Sequence, residues 1–384
     1  MVVTATPDWT SLPEHLLASI AKRLHSRIDL LRFRAVCRLF RCIIPPVPKV
    51  LFPFSILTST DFLRGPNPLG NDLFYPTEST VYAIKPFDDE TSQTWLIKVD
   101  ETKPGRLQIK DPLSGYPYNN LSWKLPKSMN LLDYRVKEIS KSYRLVSTGF
   151  FVAKYPYKVY PKSFSVSAKM IFTSHLDETD DEFAVIAKFG RKNLSMWRNF
   201  DKKWTNVEMY LESSEYILDI IYHTHKFYVL ISRGFTISLD SKSMTINEVP
   251  SPPEDSNSQL ISLLRLVESC KDLLLIGKYR DSGETKDHFK VFKLNEERCE
   301  WLPELELEDR ALVMDRDGSY SLSAKEFSGC RGNSIYFLDD YSSPKYGHPG
   351  EGVRIFDLQD GSVGELSKFP GNSHLFWPPP TWLK

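Results

Sequence analysis

Apolar residues near the start of the chain recur at helical spacing. Leu12, Leu16, Leu17, Ile20 and Leu24 fall on one flank of a helix. Pro13 stands where a first helical turn tolerates proline. A second apolar series runs from Ile28 through Leu31, Phe33, Val36 and Phe40. Asp29 is placed to cap this second short helix, because its carboxylate can accept from free backbone N–H groups. The pattern predicts two or three short helices over 8–47. Such a segment is too small to bury its own apolar flank, so another surface must cover it.

Beyond this point the pattern changes. Pro45, Pro46, Pro48 and Pro53 push their neighbours out of helical geometry and should end the helices. Afterwards the runs are short, rich in Val, Ile, Phe and Tyr, and broken by Gly, Pro, Asn and Asp. Aromatic residues make up 13% of the chain, which suits strands better than a helical bundle. An imperfect repeat pairs an apolar strand with an alternating one. The first members are 95–99, 184–189, 227–231, 273–277 and 334–338; the partners are 107–110, 194–197, 235–239, 289–294 and 353–358. The gap between the partners at 107 and 194 is about two repeats wide, and 145–153 is expected to supply the missing copy. The mean period is then roughly 49 residues, within the range of propeller blades. Such units cannot stand alone, and radial closure removes their exposed edges. A two-sheet sandwich with long insertions is the alternative, disfavoured by the length of the region.

Both regions resemble known families. Leu12-Pro13, Leu16-Leu17, Ile20, Arg23-Leu24, Asp29-Leu30, Val36-Cys37 and Phe40 follow the order of an F-box, with Phe40 where that family usually carries Trp. Thr94-Trp95-Leu96-Ile97 with Asp111-Pro112-Leu113-Ser114-Gly115 is similar to a stretch of plant F-box propellers that usually has Asn at the Asp111 position. Cys330-Arg331-Gly332-Asn333-Ser334-Ile335-Tyr336-Phe337-Leu338-Asp339-Asp340, Val353-Arg354-Ile355-Phe356-Asp357-Leu358 and Trp377-Pro378-Pro379-Pro380-Thr381-Trp382 resemble signatures of the KIB-type plant family. The fold class expected is therefore α+β, mainly β: a small N-terminal three-helix F-box followed by a large β-propeller of six or seven blades. The divisions expected are 1–7 as a disordered N-terminus, 8–47 as the F-box, 48–60 as a Pro-rich linker and 61–384 as the propeller.

Charge changes the picture little. The 384 residues have a formal net charge of zero. Residues 8–50, however, carry eight basic side chains against Asp8, Glu14 and Asp29. A basic helical module can bind nucleic acid, but complementarity to an acidic protein explains the arginines equally well, so no nucleic-acid partner is expected. Five scattered cysteines without a C-x-x-C pair favour a reducing compartment over a disulfide frame or zinc site. No basic-then-apolar leader and no long apolar window is present, so the expectation is an intracellular protein of the cytoplasm or nucleus without membrane contact.

Candidate chemistry is sparse. Asp315-Arg316-Asp317-Gly318-Ser319 with Glu326 hints at a calcium loop, yet Tyr320 stands where the sharp-turn glycine belongs, which favours a polar hairpin. The glycine-rich 347–352 lacks a phosphate-gripping Lys-Ser/Thr and reads as a blade loop. His223 and His225 sit two apart without a third ligand. The acidic run 177–182 reads as a solvated loop. No Gly-x-Ser-x-Gly elbow exists. No catalytic, metal-binding or cofactor-binding residue is therefore expected, and no cofactor.

What the F-box resemblance implies is docking onto the Skp adaptor, and through it cullin and a RING protein. The surface expected to make that contact comprises Leu12, Pro13, Leu16, Leu17, Ile20, Leu24, Leu31, Val36 and Phe40. The propeller would bind an unknown protein substrate, making the chain the non-catalytic recognition subunit of an SCF-type ubiquitin ligase. A non-degradative F-box scaffold and a propeller enzyme with a helical cap are the alternatives. Loops 65–79, 154–165, 175–183, 251–259 and 341–352 are candidates for cargo contact.

Overall fold

The computed structural model describes residues 11–24, 27–43, 52–53, 73–87, 93–103, 106–118, 125, 133–147, 165–172, 183–189, 191–253, 259–281, 287–339, 350–378 and 382. The expected boundaries near 7, 47 and 60 fall outside these residues, as do most of the five candidate loops; residues 73–79 are part of a strand.

Three helices open the described chain: α1 (Glu14–Ala21), α2 (Arg27–Val36) and α3 (Arg38–Ile43). Pro13 directly precedes α1, and its carbonyl accepts from the Leu16 and Leu17 N–H groups at 3.0 and 3.2 Å. Proline lacks only a donor that a helix start does not use. Asp29, expected as a cap, lies inside the first turn of α2 because the helix begins at Arg27. There its carboxylate still faces the positive end of the helix and pairs with Arg32 at 3.4 Å.

From Leu73 onward strands dominate and group into radial units. The first unit follows the short β1 (Phe52–Pro53), which pairs with the start of β2 (Leu73–Pro86). It continues with β3 (Trp95–Lys103), β4 (Arg106–Lys110) and β5 (Tyr134–Ser147), in the order β4-β3-β2-β5. The second is β6 (Ser165–Phe172), β7 (Ala184–Phe189), β8 (Asn193–Arg198) and β9 (Lys203–Asn206). The third is β10 (Ile217–His223), β11 (Lys226–Ile231), β12 (Thr236–Asp240) and β13 (Ile246–Val249). The fourth is β14 (Gln259–Ser269), β15 (Asp272–Asp281), β16 (Asp287–Asn295) and β17 (Glu300–Glu304). The fifth comprises β18 (Arg310–Met314), β19 (Ser319–Ser323), β20 (Ser334–Leu338), β21 (Val353–Asp357) and β22 (Val363–Glu365), ordered β19-β18-β20-β21-β22.

The inner strands close a ring: β5 lies by β6, β6 by β10, β10 by β14, β14 by β19, and β19 by β5. Each junction has its own adhesive. The first two units join through the pairs Tyr143↔Met170, Arg144↔Lys169 and Val146↔Ser165. Ile186 and Met196 pack with Ile220 and Val229 across the next junction. Leu230 and Tyr228 meet Leu266 and Leu275 across the third, and Ile276 and Val291 meet Leu312 and Ile335 across the fourth. Val81, Ala83 and Leu96 of the first unit share a cluster with Val313, Tyr336 and Ile355 of the fifth. Lys98 seals that last junction: its buried ammonium reaches Asp315 at 2.9 Å and Asp317 at 2.7 Å.

All five repeats read from the sequence are hairpins, β3/β4, β7/β8, β11/β12, β15/β16 and β20/β21. Six or seven blades follow from the repeat spacing; among the described residues the strands make five units. The described part of the doubled gap holds β5 and β6, the inner strands of adjacent units. Of the expected copy at 145–153, residues 145–147 end β5 and the remainder lies outside the described residues.

The helices are moored to the first unit. Ile28 of α2 is buried in one cluster with Tyr82, Ile84, Trp95, Ile97 and Trp382. Tyr134 serves both sides of the mooring: its carbonyl accepts from Arg32 Nη2 at 2.8 Å, and its hydroxyl accepts from Trp382 Nε1 at 2.9 Å. Among the described residues no helix is long and apolar enough to cross a membrane.

Candidate functional site

Two regions merit description: the outward flank of the helices and the mouth of the ring. The nine residues expected on the helical surface divide into three groups. Leu16, Ile20, Leu31 and Val36 are 43, 37, 45 and 57% exposed, and Pro13 is exposed as well. Leu17 and Phe40 are buried, with the Phe40 ring tilted against Phe33 at 4.5 Å between centroids; Leu12 and Leu24 are half-buried. Since α3 lies against both α1 and α2, Leu17 and Phe40 support the flank from within the trio.

The sequence signatures near the ring's closure are turns built for geometry. In 111–115, Asp111 Oδ1 accepts from the N–H groups of Leu113 at 3.1 Å and Ser114 at 2.6 Å. Aspartate makes this side-chain turn as asparagine does. Burial raises the Asp111 pKa above the ordinary carboxylate value, against the lowering effect of the Ser114 and Leu113 hydrogen bonds and of Lys98. Gly115 closes the turn at φ +66°, which favours glycine. In 330–336, Asn333 Oδ1 accepts from Leu307 N–H at 2.9 Å, Ser334 Oγ donates to the Arg331 carbonyl at 2.5 Å, and Tyr336 Oη accepts from Arg331 N–H at 2.7 Å. A side chain on Gly332 would meet the Glu308 carbonyl at 2.9 Å. Burial pushes the Cys330 thiol up to about 12, which disfavours the reactive thiolate.

The hairpin that hinted at calcium is held by other means. Asp315 Oδ1 accepts from the N–H groups of Asp317 at 2.6 Å and Gly318 at 2.5 Å, and both carboxylates face Lys98. Glu326 pairs with Lys137 instead. His223 ends β10, buried between Glu296 at 3.4 Å and Glu268 at 3.6 Å, whereas His225 occupies the following turn at φ +67°. The two imidazoles therefore do not share one strand face. Among the described residues no group of side chains is arranged to hold a metal ion. The acidic run 177–182 and residues 347–349 lie outside the described residues; Gly350 and Gly352 form the turn entering β21.

The ring's mouth holds a cleft of about 530 Å³. Inner strands supply Arg144, Lys169, Asp219 and Arg265; β7 supplies Lys188; the loop after β4 supplies Tyr116; the β18–β19 hairpin supplies Arg316 and Asp317. Its charged lining is mostly cationic, so it is neither apolar nor a cluster of free carboxylates. Asp219 is fully engaged: it pairs with Lys169 and accepts from Ile220 N–H at 2.9 Å and Leu266 N–H at 3.1 Å. Burial alone would raise its pKa. The fields of Lys169 and Arg265, with these hydrogen bonds, outweigh that and hold it below the usual carboxylate range. Sequence reasoning missed this cleft entirely, because its residues lie far apart in the chain and form no motif.

A helical trio seated on a closed ring of radial sheets defines a mainly β propeller protein with an N-terminal helical module. The family described as KIB1-4 beta-propeller matches residues 73–357, and the chain belongs to that family. It is similar to the F-box protein SKIP23 of Arabidopsis thaliana, with 26% identity covering 98% of this chain and 95% of that protein. Probable F-box protein At1g65740 of the same plant is 27% identical over 94% of this chain and 95% of its own length. Putative F-box/kelch-repeat protein At5g24040, also of Arabidopsis thaliana, is 24% identical over 98% of each.

Proposed function

We propose that this protein is the recognition subunit of an SCF-type ubiquitin ligase, with residues 8–47 as an F-box, 48–60 as a linker and 61–384 as the cargo-binding propeller. The F-box docks onto a Skp-family adaptor, which brings cullin and the RING protein. The propeller holds a protein substrate. Catalysis in such an assembly is proximity: a lysine of the cargo is kept at high effective concentration near a charged ubiquitin-conjugating enzyme. The chain itself then needs no catalytic residue, and it works inside the cell.

The observation that carries this reading is the outward apolar flank. Leu16, Ile20, Leu31 and Val36 remain substantially exposed on the three short helices. Together with Pro13, Leu12 and Leu24 they would meet the adaptor, while Leu17 and Phe40 keep the flank in shape. Full leucine burial contributes about 1.5–3 kcal/mol, and half-exposed residues gain about half of that on docking. Leu16→Ala/Ile20→Ala should therefore weaken adaptor capture by roughly thirty-fold. Co-purification of the full chain with a Skp adaptor measures this. Undiminished capture by the double variant would remove the basis for the reading. Accumulation of propeller-bound proteins on loss of the chain separates a degradative receptor from a sequestering scaffold.

A further inference from the structure

The mouth of the ring gathers more positive charge than its own carboxylates neutralise. Six cations line it: Lys110, Arg144, Lys169, Lys188, Arg265 and Arg316. Three have acidic partners: Lys110 pairs with Asp100, Arg144 with Asp317, and Lys169 with Asp219. The other three form no ion pair among the described residues. Lys188 donates to the Leu218 carbonyl at 3.1 Å, Arg265 Nη1 to its neighbouring Leu264 carbonyl at 3.2 Å, and Arg316 stacks on Tyr116 at 4.6 Å. Lys188 carries the cost of this grouping. Burial lowers its pKa first of all, and the like charges of Arg265 and Lys169 lower it further against the opposing pull of Asp219.

We propose that the mouth of the ring binds a phosphate-bearing ligand, gripped by Lys188, Arg265 and Arg316. A guanidinium presents a planar fork of donors that matches phosphate oxygens bidentately, and an ammonium adds a point charge. Two forks and one ammonium suit a multiply charged anion better than a single carboxylate. The 530 Å³ cleft exceeds what one carboxylate needs and lies within the usual size of ligand sites. Arg316 is held in place by the same hairpin that Lys98 ties to the first unit, so its guanidinium is positioned before any ligand arrives. The exposed Tyr116 ring borders the opening beside it.

The phosphate has two sources of the same chemistry: a free polyphosphate metabolite, or a phosphorylated side chain of protein cargo. The second rests on the receptor reading above; the first does not. Calorimetric titration of the full chain with inorganic tripolyphosphate tests the free source, and a phosphoserine peptide pool against the same unphosphorylated pool tests the cargo source. Binding should weaken as salt rises. Arg316→Gln, at an exposed rim position where folding is not at stake, should weaken binding roughly tenfold, and adding Lys188→Met roughly tenfold again. Tripolyphosphate binding with these losses assigns a free ligand. Phosphopeptide binding alone, with the same losses, assigns a cargo mark. Absence of binding by both probes overturns the proposal, as does equal binding by folded variants or by the unphosphorylated pool. Adaptor capture by the same preparations reports on the receptor reading separately, so the two can fail independently.

Discussion

The helical trio and the ring cover their apolar residues to different extents. In the ring, clusters span the junctions between units, so leucines and isoleucines of one sheet are hidden by the next. In the trio, Leu17 and Phe40 are hidden but Leu16, Ile20, Leu31 and Val36 are not. The difference is one of closure. A ring supplies each sheet with two neighbours; three short helices lack the volume to cover all their own faces. The exposed Leu16, Ile20, Leu31 and Val36 are the residues that the proposed adaptor contact would cover.

Substitutions in the two regions should have very different costs. The largest effect is expected at the ring's closure. Lys98→Met leaves the buried Asp315 without its ammonium, while Asp317 keeps Arg144, and should cost about 3–5 kcal/mol in urea unfolding. Leu16→Ala/Ile20→Ala, in contrast, should shift the unfolding midpoint very little, because exposed substitutions usually stay within about 0.5 kcal/mol. A strong destabilisation by that pair would mean the flank is structural. Ile28→Ala is intermediate. Cutting back this buried anchor should cost about 2 kcal/mol, read as faster amide exchange in α2 with the ring's exchange unchanged.

Acid sensitivity is a smaller effect. The Asp219 pKa is depressed in the fold, so its stabilisation is complete above the unfolded value near 3.8. That stabilisation fades as pH falls through the lower folded value. Asp219→Asn should flatten the fall of the urea midpoint with pH below about 4. Asp111 acts with the opposite sign. Its raised pKa makes its charge a cost at neutral pH, and that cost is relieved as pH falls. The smallest expected effect is at Cys330. With its thiol pushed up to about 12, it should resist alkylation near neutral pH while the exposed Cys42, Cys270 and Cys299 react, as peptide mapping would show.

Local features were legible in the sequence and distant pairings were not. The hairpin repeats announced themselves because alternation and turn residues lie within one short window. The apolar flank of 12–24 was visible for the same reason, though periodicity did not tell outward Leu16 from buried Leu17, which depends on how α3 packs. Asp29 looked like a cap since only its residue type, not the start of α2, is written locally. The placement of β5 between β2 and β6 is non-local, and it set the number of units among the described residues. The cleft was invisible altogether: Lys188, Arg265 and Arg316 sit on separate units and meet only once the ring has formed. Arg316 lies inside the motif that hints at calcium, whose aspartates pair with Lys98 instead.

Trp382 carries one more consequence. The indole near the end of the chain sits over Ile28, near its beginning, with Tyr134 between them. Removing the Trp382 indole would open a cavity between Ile28 and the first unit and loosen the berth of the helices.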